Sequence, residues 1–300
     1  MAKIGLVDVD SHNFPNLALM KISKYHKNIG DSVSFVTIGN YDKIYMSKVF
    51  SFTKNHRLGF INYDELEKGG TGYDVKSKLP NEIDKLPPDY LLYPNFKSAY
   101  GFLTRGCPNK CKWCLVSEKE GNIKKYSDIE DFLEGRNSAI LMDNNVLAHG
   151  HGLSQIEKII KLGIKIDFNQ GLDARYIDDN TAKLLSKIKW IKNIRIACDT
   201  KAQIPFVEKS LKYLRKYGIQ NNQIFIYILV KDIDDALERV EYFRKIGYIL
   251  TFAQPFRDWK NNQPPSIELK RFARWCNRKQ IFIKTTWKNY KQRKIEIYKK

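Results

Sequence analysis

Short apolar runs separated by polar turns dominate the first third of the chain. The run Ile4–Val9 predicts a buried strand, and a helical spacing of apolar residues follows over residues 17–30. Val33–Ile38 predicts a second strand. A strand–helix–strand order implies parallel pairing with a right-handed crossover. We therefore expect a small Rossmann-like α/β unit over residues 1–90.

From Tyr100 onward, apolar strands alternate with amphipathic helices. The predicted strands are Gly101–Arg105, Ala139–Asp143, Ile164–Asn169, Ile194–Asp199, Ile224–Val230 and Tyr248–Gln254, with Ile281–Thr285 as a candidate seventh. The predicted helices are Leu153–Leu162, Asp179–Ile188, Phe206–Tyr217 and Ile233–Ile246. This alternation predicts an α/β fold with a partial parallel β/α (TIM-like) barrel over residues 91–256. A basic helix/strand extension is expected over residues 257–300.

Three of the five cysteines lie within eight positions, at Cys107, Cys111 and Cys114. They follow the first predicted barrel strand, on the face where barrel enzymes hold their catalytic groups. Three thiolates can bind three irons of a four-iron cluster and leave the fourth iron without a protein ligand. The spacing C-x3-C-x2-C therefore predicts an open iron–sulfur cluster.

A structural zinc site is the main alternative for these thiols. Zinc would need a fourth ligand, and His149 and His151 are the candidates near the motif. Zinc sites usually combine two close cysteine pairs, which this chain lacks. A redox pair of Cys111 and Cys114 is disfavoured, because the helix pattern of such folds does not follow it.

The cysteine loop resembles the signature of the radical S-adenosylmethionine (radical SAM) superfamily, C-x3-C-x-aromatic-C, with Trp113 in the aromatic position. The resemblance extends over about residues 99–255. It implies a 4Fe-4S cluster whose open iron binds the amino and carboxylate groups of S-adenosylmethionine. One-electron reduction would then release a 5′-deoxyadenosyl radical, so the resemblance also implies an external electron donor of flavodoxin or ferredoxin type.

The same resemblance implies which polar residues contact S-adenosylmethionine. The candidate cofactor-binding residues are Trp113, Asp143, Asn144, Asn145, Gln170, Arg175 and Asp199. Trp113 would pack near the adenine, and the turn at 143–145 would hold the methionyl amino group, although the family's usual pair of glycines is absent. Gln170 and Arg175 would meet the ribose or the carboxylate, and Asp199 the ribose or the substrate. A surface pair between Arg175 and Asp173 is the alternative reading of that arginine.

The two remaining cysteines limit the class of enzyme. Cys198 is a weak candidate for hydrogen-atom donation to a substrate radical, but we expect it, like Cys276, to be a core residue. Two distant cysteines cannot bind a second cluster. The pattern therefore disfavours methylthiotransferases and relatives with auxiliary clusters, and it favours an enzyme with a single cluster.

The N-terminal unit weakly resembles the cobalamin-binding-like domain that precedes the barrel in one branch of the superfamily. The resemblance depends on the opening strand, the following helix and the glycine-rich turn Gly69-Gly-Thr-Gly-Tyr-Asp74. The cobalt-ligating pattern Asp-x-His-x-x-Gly is absent, because Asn-Phe-Pro follows His12. Cobalamin, and with it a cobalamin-dependent methyltransferase, remains an alternative that we do not favour.

The formal net charge of +19 suggests an anionic partner such as a nucleic acid. An AT-rich genome would produce the same excess of lysine, and the basic residues are scattered except at the C-terminus. There, Trp287, Tyr290 and Tyr298 alternate with lysines and could stack on bases. A nucleic-acid-binding protein with a structural zinc, or a non-catalytic iron–sulfur scaffold, thus stays open beside the enzyme. We expect a cytoplasmic chain, since no apolar run could span a bilayer.

Overall fold

The computed structural model describes residues 1–11, 14–247 and 250–292, so His12 and Tyr298 lie outside the described residues. The strands are β1 (Lys3–Asp8), β2 (Ser32–Phe35), β3 (Asn40–Ser47), β4 (Asn62–Gly69), β5 (Ala99–Gly101), β6 (Thr104–Arg105), β7 (Lys124–Lys125), β8 (Ser138–Leu141), β9 (Lys165–Phe168), β10 (Leu172–Asp173), β11 (Lys189–Trp190), β12 (Ile194–Ala197), β13 (Ile224–Val230) and β14 (Leu250–Pro255). The helices are α1 (Leu17–Asn28), α2 (Asn81–Asp84), α3 (Val116–Lys119), α4 (Glu130–Leu133), α5 (Gly150–Leu162), α6 (Asp179–Leu185), α7 (Ile204–Lys216), α8 (Ile233–Lys245), α9 (Ile267–Asn277), α10 (Lys279–Lys284) and α11 (Trp287–Gln292).

The N-terminal unit is a parallel sheet with the strand order β2-β1-β3-β4. The predicted first strand and helix are present, but the sequence did not indicate β3 and β4. Most of β4 is exposed, so it lacks the apolar alternation by which half-buried strands are recognised. Gly5 in β1 is required by the crossover at residues 36–39, because a Cβ at this position would lie 2.7 Å from Val36 Cγ2.

The second unit contains two parallel half-sheets, with the orders β11-β9-β8-β5 and β10-β12-β13-β14. The two half-sheets share one apolar core, in which Ile166, Ile196 and Ile226 are fully buried. The architecture is mixed α/β with parallel sheets, as predicted. The short strands β10 and β11 were not predicted.

The predicted strand Gly101–Arg105 is divided into β5 and β6. The division has a local cause, because the buried carboxylate of Asp143 accepts hydrogen bonds from the amides of Leu103 and Thr104. These amides are thereby withdrawn from the parallel ladder. The second half then pairs antiparallel with β7.

The prediction of a strand at Ile281–Thr285 was wrong, since most of this segment forms helix α10. Phe282 packs on Trp275 with ring centroids 5.1 Å apart, and Trp275 Nε1 donates to the Thr285 carbonyl at 2.7 Å. Trp287 is also buried in this aromatic cluster and is not available to stack on bases. Among the helices in the described ranges, none combines the length and apolar character needed to cross a bilayer.

Candidate functional site

The cysteine loop begins directly after β6 and ends at α3. It doubles back at Gly106, which adopts a φ of +85°, and a Cβ there would lie 2.3 Å from the carbonyl oxygen of Asn122. The Cys107 amide donates to the Gly121 carbonyl at 3.2 Å. Glycine at position 106 thus allows the two ends of the loop to lie against each other.

The three thiols are half-buried and affect one another. Burial raises the pKa of Cys111 and of Cys114, and the neighbouring thiols raise each of these pKa values further. The Cys114 amide donates to the Cys111 carbonyl at 3.0 Å, and the Val116 amide donates to Cys114 Sγ at 3.4 Å. Burial thus favours the protonated form of Cys111 and Cys114, and a bound metal would have to displace these protons.

The donor set suits an iron–sulfur cluster better than zinc. In the described ranges, no group of three or more His, Cys, Asp or Glu side chains is arranged as a ready ligand set. Cluster binding would have to draw the three sulfurs together, and soft thiolates on one loop are the ligands that such clusters prefer. The two histidines considered for zinc are engaged elsewhere, because His149 Nδ1 accepts from the His151 amide and His151 Nε2 lies 3.0 Å from the Ser127 carbonyl oxygen.

Asp143 supports the segment that leads into the cysteine loop. Its carboxylate is 2% exposed and accepts from the Leu103 amide, the Thr104 amide and the Thr104 hydroxyl. Burial raises the pKa of Asp143 to about 6, and these hydrogen bonds oppose the rise. The hydrogen bonds of the Asp143 carboxylate are thus made to Leu103 and Thr104, in the segment that precedes the cysteine loop.

Glu120 joins the two ends of the cysteine loop to the turn after β8. Its Oε2 accepts from the Gly106 amide at 2.8 Å and from Asn144 Nδ2 at 2.9 Å. Its Oε1 lies 2.9 Å from Arg105 in an ion pair. Because the amide group of Asn144 donates to Glu120, the carbonyl oxygen of the same side chain is left as the free acceptor.

Asn145 lies directly against the first cysteine. Its Nδ2 is 3.5 Å from Cys107 Sγ and 3.2 Å from Asp173 Oδ2. Asp173 Oδ2 also accepts from Asn109 Nδ2 at 2.9 Å, which ties the cysteine loop to β10. Asn145 Oδ1 is buried without a hydrogen-bond partner within the described ranges. Such an orphaned acceptor suits a site whose ligand supplies a donor.

Arg175 lies beside the cysteine loop and pairs with Asp173. Its Nε and Nη2 donate to the two carboxylate oxygens at 2.8 and 2.7 Å. The positive charge of Arg175 also lowers the pKa of Cys111 against the larger effect of burial. The Arg175–Asp173 ion pair, which was the alternative to a cofactor-binding role for Arg175, is therefore present, and it lies next to the thiols. Gln170 is exposed on the preceding turn.

Trp113 and Asp199 meet on the other side of the loop. Burial raises the pKa of Asp199, and the charge of Arg239 and the nearby Trp113 side chain oppose the rise. Lys231 Nζ lies 5.7 Å from the Trp113 ring centroid. Cys198, next to Asp199, is fully buried, and burial raises the pKa of this thiol to about 12. Cys276 is also buried, as expected of a core residue.

A cavity of about 1150 Å³ lies between the N-terminal sheet and the carboxyl ends of the strands in the two half-sheets. Gln170 and Asp199 line it from the half-sheet side, and Arg105, Lys119 and Glu120 line it from the two ends of the cysteine loop. The facing wall includes the glycine-rich turn after β4. The volume exceeds the roughly 300–1,000 Å³ of pockets for drug-sized ligands.

Comparison with solved structures identifies the fold. TsrM from Kitasatospora setae, a radical S-adenosylmethionine methyltransferase solved with its tryptophan substrate and the analogue aza-SAM, aligns with a TM-score of 0.63 and 11% identity over 85% of this chain and 73% of TsrM. The chain has the radical SAM fold. No family model matches the chain, and no curated protein matches its sequence.

A second protein has the same radical SAM fold. OxsB, a cobalamin-dependent S-adenosylmethionine radical enzyme solved with aqua-cobalamin and S-adenosylmethionine, aligns with a TM-score of 0.56 and 14% identity over 94% of this chain. OxsB solved with aqua-cobalamin alone aligns with a TM-score of 0.57 and 14% identity. The chain spans 56% of the length of OxsB. Because 94% of this chain is aligned, the likeness extends over the N-terminal sheet as well as the two half-sheets.

Several residues that organise this site escaped the sequence analysis. The spacing of the cysteines gave no reason to select Glu120, Asn109 or Thr104, and Asp173 entered only as a partner of Arg175. All four act through hydrogen bonds between segments distant in sequence. The one available signal was the density of polar side chains immediately after predicted strands.

Proposed function

We propose that this protein is a radical SAM enzyme that carries one 4Fe-4S cluster on Cys107, Cys111 and Cys114. The observation that carries the proposal is the position of the three thiols. They share one loop at the carboxyl ends of a parallel half-barrel, and both ends of that loop line a cavity large enough for a cofactor and a substrate. When bound, the cluster and S-adenosylmethionine would supply a 5′-deoxyadenosyl radical.

The remaining residues would orient the cofactor and keep the loop in place. We assign the methionyl amino group to the side-chain carbonyl oxygens of Asn144 and Asn145. The Asn144 oxygen takes no part in the Glu120 contact, and the Asn145 oxygen has no hydrogen-bond partner among the described residues. Arg175 would face the carboxylate, and Gln170 and Asp199 would contact the ribose or the substrate from the cavity wall. Asp143 would not contact the cofactor itself; it would fix the backbone that precedes the cysteines.

The assay for this proposal is the formation of 5′-deoxyadenosine from S-adenosylmethionine. The chain is reconstituted with iron and sulfide without oxygen and reduced with dithionite. We expect 5′-deoxyadenosine from the wild type and from Cys198→Ala, which keeps the three-thiol loop, and none from Cys107→Ala. An iron-loaded wild type that forms no product would point to a non-catalytic scaffold.

A cobalamin-dependent radical SAM methyltransferase is the second candidate. It is favoured by the cavity between the two units and by the structural likeness to OxsB, which binds cobalamin. In this reading, the N-terminal unit would hold the corrinoid opposite the cluster. Retention of a corrinoid band after anaerobic incubation with hydroxocobalamin and gel filtration would support it. Loss of the whole band on the column would exclude it.

The electron donor and the substrate remain part of the proposal. An external flavodoxin or ferredoxin would supply the electron that reduces the cluster. Nucleic acid stays a candidate substrate on the net charge of +19 alone. Metal analysis separates the enzyme from a zinc-containing nucleic-acid-binding protein, because the latter requires zinc without iron.

A further inference from the structure

The wall of the cavity is markedly basic. Along its lining, lysine and arginine side chains outnumber carboxylates by eight to four. Two of these cations are neutralised locally, since Lys21 lies 3.4 Å from Asp84 Oδ1 and Arg105 lies 2.9 Å from Glu120 Oε1. Two shielded cations of this wall form no ion pair within the described residues. The buried Lys48 donates instead to the Thr53 carbonyl oxygen and to Asn55 Oδ1, whereas the half-buried Lys119 has no such pair of acceptors.

The ammonium of Lys119 crosses the cavity edge to the N-terminal unit, where it contacts the hydroxyl of Thr71. Burial lowers the pKa of Lys119, and the charge of Arg105 lowers this pKa further. A half-buried ammonium beside a second cation is costly unless a negative group compensates it. Glu120 compensates only in part: its charge raises the pKa of Lys119, but its carboxylate is already paired with Arg105 and bonded to two donors.

Unused backbone donors lie next to this ammonium. In the described part of the chain, the amides of Gly70 and Thr71 donate no hydrogen bond, whereas the Gly72 amide donates to the Lys48 carbonyl at 2.8 Å. Gly70 has a φ of +93°, and a Cβ there would lie 2.5 Å from the Lys48 carbonyl oxygen. The turn therefore depends on glycine, and successive free amides in such a turn form a concave anion site.

We propose that Lys119, the Thr71 hydroxyl and the amides of Gly70 and Thr71 bind an anionic group of the substrate, a phosphate or a carboxylate. The inference rests on the proposed function, because it places a substrate group in the cavity that the cysteine loop lines. One point charge with a hydroxyl and two amides is a donor set that suits either oxyanion. The substrate would thus be held between the two units, with its anionic end away from the barrel floor.

The test measures anion binding to the reconstituted holoprotein by calorimetry at low ionic strength, with inorganic phosphate and with acetate as probes. We expect saturable binding of at least one probe, weakened about tenfold or more in Lys119→Met and in Thr71→Val. Lys119→Arg should retain binding. Lys187→Met removes one exposed cation outside the cavity and is the matched control, with unchanged binding. Equal affinity in the wild type and Lys119→Met would overturn the inference.

Two further measurements distinguish a substrate anion site from a cobalamin site, and this inference from the proposed function. Cobalamin carries a phosphodiester of its own, so the titration is repeated after incubation with hydroxocobalamin. Persistent binding supports a substrate group, and complete loss would assign the site to the corrinoid and overturn the substrate assignment. Formation of 5′-deoxyadenosine without anion binding would contradict this inference alone, whereas anion binding without 5′-deoxyadenosine would contradict the proposed function alone.

Discussion

The carboxylate of Glu120 accepts a hydrogen bond from the Gly106 amide at 2.8 Å. This bond closes the cysteine loop, because the two residues stand immediately before the first cysteine and shortly after the third. The same carboxylate holds Asn144 in the turn after β8. One side chain therefore fixes the three thiols relative to the barrel strand that is expected to present S-adenosylmethionine.

Replacement of this carboxylate should loosen the loop. Glu120→Gln removes the negative charge that pairs with Arg105 and turns one of the two acceptor oxygens into an amide donor. Gly106, Asn144 and Arg105 can then no longer all be satisfied. We expect a loss of about 1–3 kcal/mol in unfolding free energy and fewer irons per chain after reconstitution. Thermal unfolding and iron analysis measure both effects. Glu118→Gln, at an exposed position of α3, is the control, and equal iron in the two variants would contradict the role of Glu120.

Asp143 predicts a specific dependence of stability on pH. Its pKa is raised to about 6 in the folded chain by burial, against about 3.9 for an unperturbed aspartate. The folded state therefore binds the Asp143 proton more tightly than the unfolded state does. The resulting stabilisation of the folded state is complete below about pH 4 and is lost as the pH rises through 6. This contribution to the free energy of unfolding is at most about 3 kcal/mol.

The matched variant for this dependence is Asp143→Asn, which cannot titrate. As the pH rises from about 4 to about 6, the unfolding free energy of the wild type should fall relative to that of Asp143→Asn. Measurement on the cluster-free protein avoids acid loss of the cluster. A difference that stays constant over this range would show that the carboxyl is not held in the buried environment described here.

Asn145 should tune the reduction potential of the bound cluster. Its Nδ2 lies 3.5 Å from Cys107 Sγ, and hydrogen bonds to cluster sulfurs raise the potential. Asn145→Ala should lower the potential by about 40 mV for each kcal/mol of hydrogen-bond energy that is lost. A redox titration followed by electron paramagnetic resonance measures it. Asn122→Ala, on the exposed side of the loop, should leave the potential unchanged.

Arg175 should determine the affinity for S-adenosylmethionine more than the loading of iron. Arg175→Lys keeps the charge but loses the two parallel bonds to Asp173, because an ammonium cannot form the planar fork. We expect KM for S-adenosylmethionine to rise about tenfold with iron content unchanged. A normal KM in this variant would place the Arg175–Asp173 pair outside the cofactor site. Lys187→Arg provides the control.

The sequence predicted those parts of the molecule in which local pattern decides the structure. The apolar runs at Ile194–Asp199 and Ile224–Val230 correspond to β12 and β13, because buried parallel strands leave a continuous apolar signal. The strand β4 was missed, since its exposed side chains give no such signal. At Ile281–Thr285, packing of Phe282 against Trp275 overrode the β-branched composition.

The candidate site was predictable to a similar extent. Three closely spaced cysteines and an aromatic residue define a local motif, so the sequence could place the candidate site on this loop, while the cluster chemistry of the thiols stays a prediction. The contacts of Glu120 with Asn144 and of Asn109 with Asp173 join segments that only the tertiary fold brings together. The basic face around Lys119 became visible only when the N-terminal turn was placed opposite the cysteine loop.

The proposed activity depends on a cluster with one iron left open for S-adenosylmethionine. The most direct measurement is the electron paramagnetic resonance spectrum of the reconstituted, dithionite-reduced chain before and after addition of S-adenosylmethionine. We predict the signal of a reduced 4Fe-4S cluster that changes on addition of the cofactor and is absent from Cys107→Ala. A chain that holds zinc without iron, or a cluster signal that S-adenosylmethionine does not alter, would contradict the account.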